Sequence, residues 1–87
     1  MNTFNLRVLS SVRVLFSEQV ASVFLSGDEG EFELLPFHYP LMAALPEGEI
    51  VIAGYDKIPL RQGVVVFLDN ICTIIIEELV AESFIEN

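Results

Sequence analysis

Residues 27–45 decide the fold of this chain, and they read Gly-Asp-Glu-Gly-Glu-Phe-Glu-Leu-Leu-Pro-Phe-His-Tyr-Pro-Leu-Met-Ala-Ala-Leu. Two glycines bracket an acidic turn at the start, and Phe32 and Leu34 then alternate with glutamates, which is typical of a half-buried strand. Pro36 and Pro40 each remove a backbone donor and favour an extended conformation in the residue before them. The stretch therefore predicts a hairpin, a strand and a structured crossover that is not helical.

Short apolar segments separated by turn residues continue in both directions from this stretch. Period-two alternation predicts half-buried strands over residues 4–9 and 12–16, the second with Val12 and Val14 on its apolar side. Residues 41–45 suit one helical turn by propensity, but the flanking prolines favour a short strand. Further strands are predicted at residues 20–26, 31–35, 49–53, 57–60, 61–67 and 71–77. We therefore predict an all-β fold, a two-sheet β-sandwich or flattened barrel of about ten short strands.

Length and composition fit one small domain. The 53% of hydrophobic residues supplies a core and argues against disorder. We assign residues 1–78 to the sandwich and residues 79–87 to a short C-terminal tail, which either forms a few helical turns or frays. The start of the chain lacks a secretory signal pattern, and no apolar run reaches the ~18 residues that a membrane helix needs.

Charge and cysteine content narrow the classes of partner. Thirteen acidic against four basic residues give a net charge of −9, which disfavours nucleic acid and anionic lipid headgroups. A basic protein surface is the natural partner of such a chain, and the alternative is that the acidity serves only solubility. Cys72 is the single cysteine, so no internal disulfide forms and a reducing compartment is indicated.

We predict no cofactor, no metal ion and no catalytic activity for this chain. The acidic residues at 28, 29, 31 and 33 lack the ligand spacing and the terminal bidentate glutamate of a calcium loop. One histidine and one cysteine cannot form a zinc site. Cys72 lies among isoleucines in a predicted strand, where thiols are usually inert, and no serine has a Gly-x-Ser-x-Gly setting.

The central stretch resembles the signature of the epsilon subunit of rotary F-type ATP synthases, the delta subunit in mitochondria. That signature runs roughly Gly-x-Glu-Gly, then Pro-Gly-His-x-Pro-Leu, and residues 62–75 are similar to the family's last hairpin. The resemblance implies a non-catalytic central-stalk subunit that couples the gamma subunit to the c ring of a proton- or sodium-driven ATP synthase. It would then lie on the cytoplasmic face of a bacterial plasma membrane and reach the membrane only through the complex. The alternative is a free-standing small β-sandwich that binds another protein or a small ligand.

The chain departs from the family pattern at three places. Phe37 stands where the family usually has glycine; if that position needs a positive φ, the aromatic residue costs ~1–2 kcal/mol, and otherwise the loop has a different shape. Pro46-Glu47 replaces a Lys-Pro-like pair and reverses a charge. The C-terminal helical hairpin of the family is expected to be absent. Inhibition of ATP hydrolysis through that hairpin is then also expected to be absent.

Eight residues are candidates for contact with the c ring or gamma. Glu31 is expected either to pair with a basic residue of the c-subunit loop or to be a solvated carboxylate at a strand end. His38 either faces the c ring or hydrogen-bonds a loop carbonyl. Phe37 and Tyr39 are hard to bury in a loop and are expected to pack on a partner, whereas Met42 is also expected to fill the core. The full set is Glu29, Gly30, Glu31, Phe37, His38, Tyr39, Pro40 and Met42.

Overall fold

The computed structural model describes residues 2–79, which form eight β-strands and no helix. In chain order, β1 to β8 span Phe4–Leu9, Val14–Val20, Val23–Gly27, Gly30–Leu34, Leu41–Leu45, Gly48–Ile52, Ile58–Leu68 and Ile71–Glu78. Apart from Leu79, the predicted tail lies outside the described residues.

The longest strand, β7, joins two sheets. Along one edge it pairs with β8, which continues to β1 in parallel and then to β2. Along its other edge β7 pairs first with β6, through residues 58–60, and then with β5, through residues 63–67. The first sheet consists of β5, β7, β8, β1 and β2. From β6 the second sheet continues to β3 and β4. The predicted all-β sandwich is confirmed.

The core lies between the two sheets and is entirely apolar. No polar or charged residue is buried within residues 2–79. Both sheets contribute side chains of one alternating face, as the period of two in a strand requires. The buried set is Phe4, Leu6, Val8, Val20, Val23, Leu25, Leu34, Leu45, Ile50, Ile52, Leu60, Val65, Phe67, Cys72, Ile74 and Ile76.

The described part of the chain has eight strands, fewer than the expected number of about ten. The nine segments predicted above become eight because two of them form a single strand. Residues 57–60 and 61–67 were predicted as separate strands, but β7 runs through both. The register of β7 against β8 shifts between Leu60 and Gln62. Such a bulge bends a strand without ending it.

The predicted inward placement of Val12 and Val14 is wrong. Their exposed fractions are 80% and 62%. The hydroxyl oxygen of Ser10 accepts hydrogen bonds from the main-chain N–H groups of Val12 and Arg13, each at 3.2 Å. This side-chain capped turn competes with the sheet ladder and directs residues 11–13 into solvent.

The predicted strand over residues 20–26 begins later than expected. Val20 is the last residue of β2, and the chain turns before β3 begins at Val23. The carbonyl oxygen of Ser22 accepts a hydrogen bond from the N–H of Ala53 at 3.2 Å, which fixes this turn beside the end of β6. By contrast, the predicted strand over residues 41–45 is confirmed as β5.

Two ends of the first sheet are fixed by local contacts. Asp69 and Asn70 have φ values of 53° and 62°, as a two-residue type I′ turn between β7 and β8 requires. At the other end, the Arg13 guanidinium contacts the Glu78 carboxylate through Nη2–Oε1 at 2.7 Å and Nε–Oε2 at 3.3 Å. The hydrogen bond from Arg13 lowers the pKa of Glu78. This bidentate pair joins the β1–β2 turn to the end of β8.

Gly63 of β7 pairs with Ile76 of β8 and leaves no room for a side chain. A Cβ added to it would stand 2.6 Å from the main-chain oxygen of Ile75 and 3.0 Å from Cγ2 of Ile76. Since a main-chain atom cannot move without shifting the whole strand, only glycine fits here.

We expect Gly63→Ala to lower the free energy of unfolding by about 1–3 kcal/mol, because the added methyl group forces the two strands apart. Urea denaturation measures this change. Gly48→Ala is the matched control, since the nearest atom to its Cβ would be Cβ of Ser26 at 3.7 Å, an ordinary contact. Equal effects of the two substitutions would contradict the steric argument.

We expect the Cys72 thiol to react with iodoacetamide on the order of 10³-fold more slowly than a free cysteine at pH 8, until denaturant is added. Cys72 is fully buried, and loss of solvation raises its pKa to about 12. The folded state holds this proton more tightly than the unfolded state does. Stability should therefore fall as the pH rises from about 9 toward 12. Fast labelling of the native protein would contradict this prediction.

Candidate partner interface

The acidic candidates lie at the tip of the β3–β4 hairpin. Gly30 has a φ of 117°, a conformation that favours glycine and completes the turn. Glu29 and Glu31 on either side of it are exposed. The tip forms one wall of an open groove, and Leu41 and Ala43 of β5 lie on the other. Both carboxylates are therefore accessible to a cationic partner.

The candidates of the crossover form a tight turn at the other end of β4. The carbonyl oxygen of Leu35 accepts a hydrogen bond from the N–H of His38 at 3.2 Å. Pro36 is the first central residue, and Phe37 is the second with a φ of 65°. Proline followed by a positive φ is typical of a type II turn, which prefers glycine at the second position. In this chain the position thus does have a positive φ, and Phe37 adopts it with 70% of its surface exposed.

His38 is half-buried and contacts both loop and core. Its Nδ1 lies 2.7 Å from the carbonyl oxygen of Tyr39, so this nitrogen carries the proton and donates. Its ring meets that of Phe67 edge to face at 5.6 Å between centroids. The sequence offered two alternatives for His38, contact with the c ring or a hydrogen bond to a loop carbonyl, and the hydrogen bond is present. Contact of the remaining nitrogen with a c ring stays a prediction.

The prediction that Met42 also fills the core is wrong. Its exposed fraction is 73%, and that of Tyr39 is 74%. In β5 the inward positions are taken by Leu41 and Ala43, which pack against the core. Since side chains alternate along a strand, Met42 between them faces outward.

A second apolar surface, which the sequence analysis did not identify, covers the outside of the first sheet. We call it the outer apolar face. None of its seven residues is charged, although the chain carries 13 acidic residues. The exposed fractions reach 73% at Met42, 51% at Leu68 and 48% at Ile75. Its members are Met42, Ala44, Val64, Val66, Leu68, Ile71 and Ile75.

Cross-strand pairing places these side chains in contiguous rows. Ala44 pairs with Val64, and Val64 pairs with Ile75, across β5, β7 and β8. Met42 pairs with Val66 in the next row. The rim is polar. Gln62 at one border donates a hydrogen bond to Glu77, and β1 contributes exposed Asn5 and Arg7 at another. An apolar centre with a polar rim is typical of a protein–protein interface.

The outside of the second sheet differs in charge. Phe24 and Val51 form a pair at its centre. Glu33 lies opposite Phe24, and Glu31 lies opposite Ser26. The two outer faces are therefore chemically distinct: one is apolar and uncharged, and the other carries carboxylates around a small apolar centre.

The structure divides the predicted site residues into two groups, one at each end of β4. Glu29, Gly30 and Glu31 lie at the hairpin tip, and the aromatic residues, Pro40 and Met42 follow the other end of β4. The outer apolar face was missed because residues 61–67 were predicted only as a strand, and their outward side chains were not assigned to any surface. The lack of alternation in this segment was the available signal, since a strand that is apolar on both faces is covered on both.

Within residues 2–79 the structure places no metal-binding group of three or more histidine, cysteine, aspartate or glutamate side chains. No helix in this part of the chain has the length and hydropathy to cross a membrane. Cys72 is buried and protonated at neutral pH, so its thiol is not available as a nucleophile.

Comparisons with known proteins agree with this architecture. The ATP synthase epsilon chain of Anthoceros angustus chloroplasts is 33% identical over 79 residues, covering 87% of this chain and 57% of that protein. The ATP synthase epsilon chain of Mesorhizobium japonicum is 30% identical over 82 residues, covering 90% and 61%. This chain thus spans somewhat more than half the length of these curated relatives.

A solved structure shares the fold. A chain in the cryo-EM structure of the Tetrahymena thermophila mitochondrial ATP synthase, central stalk and c ring, superposes with a TM-score of 0.78 at 14% identity, covering 94% of this chain and 73% of that chain. Residues 3–82 match the sequence model described as the beta-sandwich domain of the ATP synthase delta/epsilon chain. The chain therefore belongs to the family of ATP synthase delta/epsilon β-sandwich domains.

Proposed function

We propose that this chain is a non-catalytic rotor subunit of an F-type ATP synthase, holding the gamma subunit to the c ring. It would act on the cytoplasmic face of a bacterial plasma membrane and reach that membrane only through the complex. The observation that carries the proposal is the outer apolar face, an uncharged surface on an otherwise strongly acidic protein.

The outer apolar face is the proposed contact with gamma. Obligate interfaces resemble a domain core cut in half, and they are depleted of charge at their centre. The row formed by Ala44, Val64 and Ile75 meets this description, and the polar border at Gln62 supplies a rim. Burial of these side chains against gamma would stabilise the complex by ~25 cal/mol for each Å² of apolar surface removed from water.

The hairpin tip and the crossover turn are the proposed contacts with the c ring. Glu29 and Glu31 are exposed carboxylates that can pair with a basic side chain, each pair contributing ~0–1 kcal/mol. Such pairs orient an interface more than they strengthen it. Phe37 and Tyr39 offer rigid, exposed aromatic surface, which supplies more binding energy per residue.

Membership of the delta/epsilon family supports this assignment. Relatives named as ATP synthase epsilon chains come from a bacterium and a chloroplast, and the structural neighbour belongs to a central stalk and c ring. For this chain, the partners, the cellular side and the limits of the sandwich at residues 1–78 are proposals.

The proposed mechanism is mechanical. Torque from the c ring has to cross the sandwich without loss, which requires a domain that does not shear between its two contact surfaces. The strand β7 is hydrogen-bonded into both sheets, so a load applied to one sheet reaches the other through a continuous backbone. No bond in a substrate is made or broken by this chain.

We expect Ile75→Lys to weaken binding to gamma by about tenfold or more, because it places a charge at the centre of an apolar interface. The measurement is titration of purified gamma with the two variants of this chain. Phe24→Lys is the matched control, since Phe24 is 45% exposed on the opposite outer face and Ile75 is 48% exposed. Equal binding by the two variants would contradict the assignment of this face. Absence of binding by the unaltered chain would contradict the proposed function.

We expect Phe37→Gly to raise the free energy of unfolding by about 0.5–1 kcal/mol, because relief of the positive φ outweighs the entropy cost of glycine. The same change should weaken association with the complex of gamma and the c ring. Thermal unfolding and ring capture report the two effects separately. Tyr39→Ala is the control that removes exposed aromatic surface without changing a positive φ. If Phe37→Gly leaves capture unchanged, Phe37 is not a contact residue.

A further inference from the structure

Asn70 is the second residue of the type I′ turn between β7 and β8 and has a φ of 62°. A positive φ explains why an asparagine is tolerated there, but it does not require the side-chain amide. Glycine is the favoured residue at this position of such a turn, and the preceding residue is Asp69. The amide group of Asn70 therefore serves something other than its own turn.

The amide group joins two distant segments. Its Oδ1 accepts a hydrogen bond from the N–H of Phe37 at 2.7 Å. Its Nδ2 donates one to the carbonyl oxygen of Thr3 at 3.0 Å. Only this orientation of the amide satisfies both partners, because an N–H needs an acceptor and a carbonyl needs a donor. The main-chain oxygen of Asn70 also accepts from the N–H of Asn5 at 3.2 Å.

The hydrogen bond between the Phe37 N–H and Asn70 involves a residue whose backbone conformation is energetically unfavourable. A non-glycine residue with φ near 65° persists only when surrounding contacts hold it. The side chain of Phe37 is 70% exposed, so packing within this chain does little to hold it. Inside the turn, the hydrogen bond from His38 to Leu35 closes the loop but does not attach it to the sheet.

We propose that Asn70 is a positioning residue for the turn at residues 36–39. Its amide fixes this turn against the β7–β8 hairpin and the start of β1, so that Phe37 and Tyr39 are presented to a partner in one orientation. The part of this inference that concerns partner binding rests on the proposed function. The anchoring itself concerns this chain alone.

The test of anchoring is amide hydrogen exchange at Phe37, measured by NMR on the free protein. We expect exchange in Asn70→Gly to be roughly fivefold to tenfold faster, as loss of one hydrogen bond predicts. The midpoint of unfolding should change little, because Asp-Gly suits the type I′ turn. Unchanged exchange at Phe37 in Asn70→Gly would overturn the proposal.

Asn70→Asp is the conservative variant. Its carboxylate still accepts from the N–H of Phe37 but cannot donate to Thr3. We expect slow exchange at Phe37 to be retained in this variant. Exchange as fast as in Asn70→Gly would show that the bond from Phe37 to the side-chain oxygen is not the anchor.

Partner binding is then measured as the rate of dissociation from the purified complex of gamma and the c ring. We expect dissociation of Asn70→Gly to be several-fold faster and that of Asn70→Asp to be close to that of the unaltered chain. Dissociation of Asn70→Gly at the unaltered rate would overturn the presentation role. If the unaltered chain does not bind, the proposed function fails, while the exchange experiment still decides the anchoring.

Discussion

Strand β7 is hydrogen-bonded along one edge to β8, and along the other first to β6 and then to β5. The bend at the register shift between Leu60 and Gln62 allows one strand to belong to two sheets. Just after the bend, Gly63 brings β7 close to β8. The register of both sheets therefore depends on this one strand. The division of the β7 side chains between the core and the outer apolar face depends on this strand as well.

Turn chemistry made several elements predictable from sequence. Prolines on both sides of residues 41–45 indicated β5, and Asp69-Asn70 indicated the last hairpin. The beginning of β2 was not predictable from alternation, because the Ser10 hydroxyl accepts hydrogen bonds from the main-chain N–H groups of Val12 and Arg13. Alternation describes which side chains suit a strand, but it does not show where a local hydrogen bond replaces the ladder.

The candidate site was predictable only in part. Residues 29–31 and 37–40 were identified from a motif, and their exposure could be expected for a loop. The outer apolar face was not identified, because an apolar run such as residues 64–68 looks the same whether a second sheet or another protein covers its second side. Asn70 was also missed, since its hydrogen bonds join segments far apart in sequence. Among the described residues, the acidic side chains lie outside or at the border of the outer apolar face, so repulsion from other acidic surfaces acts mainly on the remaining sides of the protein.

The parallel pairing of β1 with β8 has a consequence for how the chain folds. These are the first and the last strands within residues 2–79, so their ladder has the longest loop closure of the strand pairs described there. During synthesis β1 can form a hairpin with β2, but its other edge stays open until β8 leaves the ribosome. An open strand edge is a template for pairing with other chains. The sheet is therefore completed late in synthesis, and at the slow rate that is typical of non-local β-topologies. Until it is complete, the nascent chain is most prone to aggregate.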